Sequence, residues 1–259
     1  MAKSTAVITG ASSGIGLMFA RKLAPRYDLL LIARRKDRLA EVAAELTAQH
    51  GSTVEVLAAD LSDLQELSLV ADRIAAERNL ALLVNNAGFG HRGAFWEADL
   101  GIAEKMHRLH VMAIVRLTHA ALRVLVPQNR GAIINVASVA AFAQRAGSAS
   151  YGATKSWLSS FSEGLYLDLK KANSAVTVQA LCPGFTYSEF HDVIGEDRQN
   201  TAPASLWMTA EKVVDDSLSA LARGTLFVVP GWRYKLIVAV LTKLPASLKL
   251  YLEAAARTR

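Results

Sequence analysis

Ser4-Thr-Ala-Val-Ile-Thr-Gly10-Ala-Ser-Ser-Gly14-Ile-Gly16-Leu-Met-Phe-Ala-Arg-Lys-Leu23 is the stretch whose reading decides the fold. Residues 4–9 form a short run rich in β-branched and apolar side chains, which predicts a strand. Glycines follow at 10, 14 and 16, and a helix-like run from Leu17 to Leu23 is stopped by Pro25. Strand, glycine turn and helix in this order present backbone N–H groups and a helix amino terminus to a pyrophosphate. The spacing is G-x-x-x-G-x-G rather than the commoner G-x-G-x-x-G. A plain turn whose small residues let a helix pack on a strand is the alternative. Three glycines in a strand–helix–strand setting make cofactor binding the better reading of the turn Gly10-Ala11-Ser12-Ser13-Gly14-Ile15-Gly16.

Downstream, the same alternation repeats. Strands are predicted at 28–33, 53–59, 80–84, 132–136, 175–181 and 226–229, and helices at 36–50, 63–77, 101–126, 151–171 and 209–222. Pro127 to Gly131 is expected to break the long fourth helix. Regular alternation implies one α/β domain over 1–259, a doubly wound, Rossmann-type, mostly parallel sheet with helices on both faces. The second strand ends in Arg34-Arg35, at the tip where such folds meet the adenosine ribose. An acidic residue there would repel a 2′-phosphate, whereas two guanidinium forks suit one, so NADP is expected rather than NAD. Asp60, beside Leu61, either hydrogen-bonds an adenine amino group or caps the helix from about Asp63. Asn85-Asn86-Ala87-Gly88 suggests close approach of a ligand or a sheet-stabilising turn.

Tyr151 and Lys155 stand four residues apart and share a helix face. A nearby ammonium favours a phenolate and lowers a phenol's pKa, which would let Tyr151 exchange protons near neutral pH. Alone, the signal is weak, because such a pair is far more often a solvated contact on a surface helix. The bulk composition, 52% hydrophobic and 20% charged, is that of an ordinary globular protein. A single cysteine, Cys182, excludes an intrachain disulfide and fits a reducing, cytoplasmic compartment. No stretch of about 18 uncharged apolar residues points to a spanning helix, and no signal-peptide core precedes the first strand. The net charge of +6 is spread out and not interleaved with aromatics, which argues against nucleic acid. No metal is expected.

Thr9-Gly-Ala-Ser-Ser-Gly-Ile-Gly16, Asp60, Asn85-Asn-Ala-Gly88, Ser138, Tyr151-x-x-x-Lys155 and Pro183-Gly-Phe-Thr186 fall in an order that resembles the short-chain dehydrogenase/reductases from residue 4 to about residue 229. Ser138 precedes Tyr151 by 13 residues, a spacing similar to that of the family. The resemblance implies that Tyr151 is the general acid/base. It implies that Lys155 lowers the tyrosine pKa and holds the nicotinamide ribose, and that Ser138 polarises the substrate oxygen. It implies that Gly10, Ser12, Ile15 and the neighbouring glycines carry the pyrophosphate and adenosine end. Asn86 and Ala87 would lie along the cofactor, and Pro183, Gly184 and Thr186 would cover the nicotinamide amide. His110 stands where many members carry an asparagine that binds a water behind the lysine; it keeps a water, relays protons, or is a satisfied buried side chain.

A substrate lid is expected at about 185–208, followed after Pro230-Gly231 by an apolar, basic tail over about 230–259. The tail packs on the substrate pocket or a neighbouring subunit, touches a membrane peripherally, or is disordered. The expected protein is an NADP-dependent oxidoreductase acting on a carbonyl or secondary alcohol of an apolar small molecule, as a homodimer or homotetramer. A catalytically silent NADP-binding regulator and a same-fold epimerase or dehydratase are the alternatives.

Overall fold

The computed structural model describes residues 3–190 and 202–255. Strands β1 (Thr5–Thr9), β2 (Asp28–Ala33), β3 (Val54–Ala58), β4 (Leu80–Asn85), β5 (Ala132–Val136) and β6 (Thr177–Leu181) belong to one sheet. Two short strands, β7 (Thr186–Tyr187) and β8 (Met208–Thr209), form a separate pair, and β9 (Phe227–Val228) returns to the main sheet. The seven strands run in the order β3-β2-β1-β4-β5-β6-β9, and every neighbouring pair is parallel. The order reverses between β1 and β4, which opens a crevice at the carboxyl ends of those strands.

Helices α1 (Gly14–Leu23), α2 (Lys36–His50) and α3 (Leu64–Ala75) cross between the first four strands. Then come α4 (Leu100–His107), α5 (Ile114–Gln128), α6 (Ala149–Lys171), α7 (Ala210–Leu221), α8 (Trp232–Lys243) and α9 (Ala246–Ala255). The central strands are mostly apolar because both faces are covered. Ala6, Ile8, Leu29 and Leu31 face a core shared with Phe19, Leu39 and Val213. Val7, Leu30 and Ile32 face the opposite core, with Leu67, Ile74, Leu117 and Leu169. That period-two division is what a pleated strand imposes. Each such large side chain, fully buried, contributes about 1.5–3 kcal/mol.

The structure corrects several expected boundaries. Helix α1 begins at Gly14, three residues before the expected Leu17, so Gly14 and Gly16 lie in its first turn. The long helix is not uniform: a π-helical segment, Arg108–Ala113, joins α4 to α5. Pro127 does not break it but sits inside α5, which ends where Asn129 turns left-handed at φ 46°. Pro127 forfeits the N–H bond to the carbonyl four residues back, but only Gln128 follows it in the helix, and Asn129 tolerates the left-handed region that ends it. Leu100–Gln128 is long and apolar enough to cross a membrane by length and composition. Here Met106, Leu117 and Leu125 on it are buried in the protein.

In the middle of the sheet Asn85 and Asn135 are register partners. Asn85 Nδ2 donates to Asn135 Oδ1 at 2.9 Å and to Thr118 Oγ1 at 3.0 Å, and Asn135 Nδ2 donates to Ser162 Oγ at 2.9 Å. These uncharged bonds tie α5 and α6 to the strands that carry the crevice, in a low-dielectric setting that strengthens each one.

Gly16 is the closest point between α1 and the strand ends, for a Cβ there would run into the Gly10 carbonyl oxygen and the Asn86 amide. Gly16→Ala is therefore expected to cost about 1–3 kcal/mol by overpacking. Urea unfolding monitored by circular dichroism checks this; an unchanged midpoint would show that the start of α1 can shift without cost.

Candidate active site

A cavity of about 550 Å³ opens at the carboxyl ends of the strands. Of the residues singled out from sequence, Gly10, Ser12, Ser13, Gly14, Ile15, Arg34, Arg35, Asp60, Leu61, Asn86, Ala87, Gly88, Ser138, Tyr151, Lys155, Pro183, Gly184 and Thr186 all line it. Gly16 does not line it; it lies buried beneath the turn.

The turn is built from β1 outward. Gly10 and Gly14 adopt φ +67° and +56°, the left-handed region that glycine enters without a Cβ penalty. Thr9 Oγ1 accepts from Asn86 N at 2.9 Å and Ala87 N at 3.0 Å, and Asn86 Nδ2 donates to the Thr9 carbonyl at 2.9 Å. The Asn85–Gly88 segment thus stabilises the turn with the Asn86 side chain while Asn86 and Ala87 also face the cavity. Ser13 caps α1 without a side-chain bond, so the first N–H groups of that helix remain available to an anion.

Both arginines lie at the same end. Arg35 donates to Ser12 Oγ through Nε at 3.3 Å and Nη2 at 3.0 Å, and pairs with Glu189 Oε2 at 2.8 Å. Arg34 is exposed beside it. The capping role considered for Asp60 is not observed, since Asp63 caps α3 by accepting from Gln65 N and Glu66 N. Asp60 instead accepts from Ser62 N at 3.0 Å and pairs with Lys105 Nζ at 2.9 Å. Burial alone would raise its pKa, but the bonds from Ser62 and Lys105 outweigh that and hold it at about 2.

At the other end, α6 carries Tyr151 and Lys155 one turn apart. Lys155 Nζ donates to the Val136 carbonyl at 2.8 Å and lies 5.8 Å from the centre of the Tyr151 ring. Ser138 Oγ accepts from Ala140 N at 3.1 Å, which fixes it at the end of β5 within bonding range of the phenol. The expected depression of the Tyr151 pKa by Lys155 is not what the protein's own groups produce. Burial pushes the phenol up to about 12, and the Ser138 hydroxyl and the Arg92 charge recover only part of this. Burial likewise lowers Lys155 to about 8. Desolvation penalises both charged forms and is the largest cause of each shift.

His110 lies in the π-helical segment and is buried. Its Nε2 accepts from Phe89 N at 3.1 Å, and Nδ1 is 3.0 Å from Thr154 Oγ1, whose own proton goes to the Tyr151 carbonyl. This network assigns the neutral tautomer protonated on Nδ1, with both ring nitrogens engaged. Burial first, then the charges of Lys155 and His107, hold its pKa well below 6.5. Of the three readings of His110, the satisfied buried side chain is the one observed.

The sequence reading missed part of the wall. Tyr234, Ile237, Val238 and Leu241 of α8 line the cavity, so the tail packs on the pocket. The i, i+4, i+7 spacing of Tyr234, Val238 and Leu241 carried that signal. The Tyr234 ring fills the space beside Gly184 where a Cβ would sit. Tyr234 Oη accepts from Phe185 N at 2.9 Å and donates to the Leu206 carbonyl at 3.0 Å, joining both ends of the expected lid. Those ends also pair as β7 and β8, and Trp207 packs on Phe185 and Tyr187. Ser188 lies against Gly14, and Phe190 lies 5.8 Å from the Tyr151 ring. Residues 191–201 of the expected lid lie outside the described residues.

Residues 4–199 match the short chain dehydrogenase family. The chain is 32% identical over 228 residues to an NADP-dependent 3-hydroxy acid dehydrogenase of Schizosaccharomyces pombe, covering 85% of this chain and 87% of that one. It is 29% identical over 196 residues to a very-long-chain 3-oxoacyl-CoA reductase of Anas platyrhynchos, 73% of this chain but only 61% of that protein's length. A solved short-chain dehydrogenase from Sphingobium yanoikuyae in complex with NADPH superposes with a TM-score of 0.83 at 33% identity, covering 94% and 97% of the two chains.

Because His110 makes bonds on both nitrogens and is held neutral, His110→Asn is expected to leave turnover within about tenfold. It should also cost about 1–3 kcal/mol of stability, since the shorter side chain leaves the Phe89 N–H unpaired. Steady-state kinetics and denaturant unfolding on one preparation check both; a loss of turnover beyond about 10³-fold would give the ring a necessary chemical role.

Proposed function

The chain belongs to the short-chain dehydrogenase family, and from that premise we propose that it is an NADP-dependent oxidoreductase interconverting a carbonyl and a secondary alcohol on an apolar small molecule. The convergence of Ser138, Tyr151 and Lys155 with the glycine turn in one cavity carries this reading. The residues fit a nicotinamide dinucleotide: N–H groups of α1 for the pyrophosphate, Arg34 and Arg35 for a 2′-phosphate, and the Pro183–Thr186 segment beside the reaction centre. When bound, such a cofactor supplies or accepts the hydride.

In the reducing direction the Ser138 hydroxyl donates to the substrate oxygen and Tyr151 gives it the phenolic proton as hydride reaches the carbonyl carbon, which leaves a secondary alcohol. The Lys155 ammonium then stabilises the phenolate. Oxidation is the reverse. A phenol pushed up to about 12 is fully protonated at neutral pH, so the protein's own groups prepare the acid that reduction needs. The two relatives named for chemistry at carbon 3 of an acyl compound support an acyl chain bearing a 3-oxo or 3-hydroxy group as the substrate to try first.

NADPH oxidation across a panel of ketones, aldehydes and 3-oxoacyl compounds tests the reaction class; NADPH binding with no oxidation of any of them would favour the silent regulator. Tyr151→Phe should abolish turnover and leave NADPH affinity nearly unchanged. In the protein alone, difference absorbance against that variant should show no Tyr151 phenolate below pH 10, and bound NADP⁺, being cationic at the ring, should move its ionisation down. Retained turnover in Tyr151→Phe would remove the acid/base role. Replacing Arg34 and Arg35 together by alanine should weaken NADPH far more than NADH, and titration of the two cofactors reads this directly; equal losses would contradict the phosphate assignment.

A further inference from the structure

Helix α8 has two apolar faces. One lines the cavity through Tyr234, Val238 and Leu241. The other is turned outward: Trp232 is 68% exposed, Leu236 59% and Val240 50%. These three are four residues apart and form one stripe along the helix. Ile237, at 37% exposure, belongs to both, since it borders the stripe and lines the cavity. Exposed Leu248, Leu250 and Tyr251 extend the apolar surface onto α9.

The charges carried along this stretch of chain have one sign, although Asp216 of α7 accepts from Gly231 N just before it. Between Trp232 and Leu252 the chain carries Arg233, Lys235, Lys243 and Lys249 and no aspartate or glutamate. Arg233 lies over the Trp232 ring at 4.9 Å and donates to the Ser205 carbonyl at 3.2 Å, which fixes the start of the stripe to the body of the protein. A second copy of the chain meeting this face about a two-fold axis would set these cations against their own counterparts with no carboxylate of the helix to offset them. An anionic lipid surface offsets them instead. Lysine stems reach past an apolar face to headgroup phosphates, and tryptophan settles at that depth.

We infer that the outer face of α8, with the start of α9, docks on an anionic lipid surface, so that an apolar substrate passes from the lipid to the cavity along Ile237. The docking stands on the exposed stripe and its cations; the passage of substrate rests on the oxidoreductase reading proposed above. Such docking is interfacial, with the helix lying in the headgroup layer rather than crossing it.

Sedimentation of the full-length protein with phosphatidylcholine vesicles, with and without about 30 mol% phosphatidylserine, tests it, because each cation near such a surface is worth about 1 kcal/mol. Binding is expected to the mixed vesicles, at least tenfold weaker to pure phosphatidylcholine, and at least tenfold weaker for Trp232→Ser/Leu236→Ser and for Lys235→Glu/Lys243→Glu. Neither pair lines the cavity, so turnover of a short, water-soluble ketone should match the wild type in both variants. No binding to either vesicle overturns the inference, as does a Trp232→Ser/Leu236→Ser variant that turns an oligomer into a monomer by light scattering, which would assign the face to a second copy. Vesicle binding without NADPH oxidation on any ketone would leave the docking standing and sink the oxidoreductase reading.

Discussion

The crevice depends on how two strand ends are fastened. Thr9 closes β1, and its hydroxyl accepts from both Asn86 N and Ala87 N beyond β4; the Asn86 amide returns a bond to the Thr9 carbonyl. These are the strands between which the chain order reverses, where the helices leave for opposite faces and the sheet parts. This fastening adds to the β1–β4 ladder and to the bond from Gly10 N to the Ile32 carbonyl in placing the left-handed Gly10 and the amino terminus of α1. Lys155 then extends the frame, bonding from α6 to the Val136 carbonyl at the end of β5. The distance from the glycine turn to the phenol is therefore set by main-chain anchors.

Much of this could be read along the chain because period and punctuation act locally. Alternating apolar strands and amphipathic helices gave the layer order, and the glycines marked the turn. Ser138, Tyr151 and Lys155 stood out through spacing and family likeness. What escaped was set by contacts remote in sequence. The π-helical segment coincides with His110, whose bonds reach Phe89 and Thr154, and no helical periodicity reports such partners. The cap of α3 is Asp63, the residue directly before the helix, while Asp60, three residues further out, bonds Ser62 and Lys105. The tail admits three readings from its sequence, since its inward and outward faces are both apolar.

The electrostatics of the reaction centre show why proximity is an incomplete guide. From the sequence, a lysine one turn from a tyrosine reads as an activating charge. In the fold both are buried, and desolvation moves their pKa values oppositely, up to about 12 and down to about 8. Protein groups hold the pair near the form that gives a proton. Charge brought by a bound molecule is what would tip it the other way.

The ion pair between Arg35 and Glu189 is what the proposed 2′-phosphate would meet at the tip of β2. Both side chains are about half exposed, and a pair of that kind contributes only about 0–1 kcal/mol. A guanidinium that trades this carboxylate for a phosphate gives up little and gains a stronger, bidentate partner. The same trade would remove one of the contacts that hold the segment just after β7 to the tip of β2. Arg35 thus links the tip of β2, where the proposed phosphate would sit, to the segment whose Phe190 lies beside Tyr151.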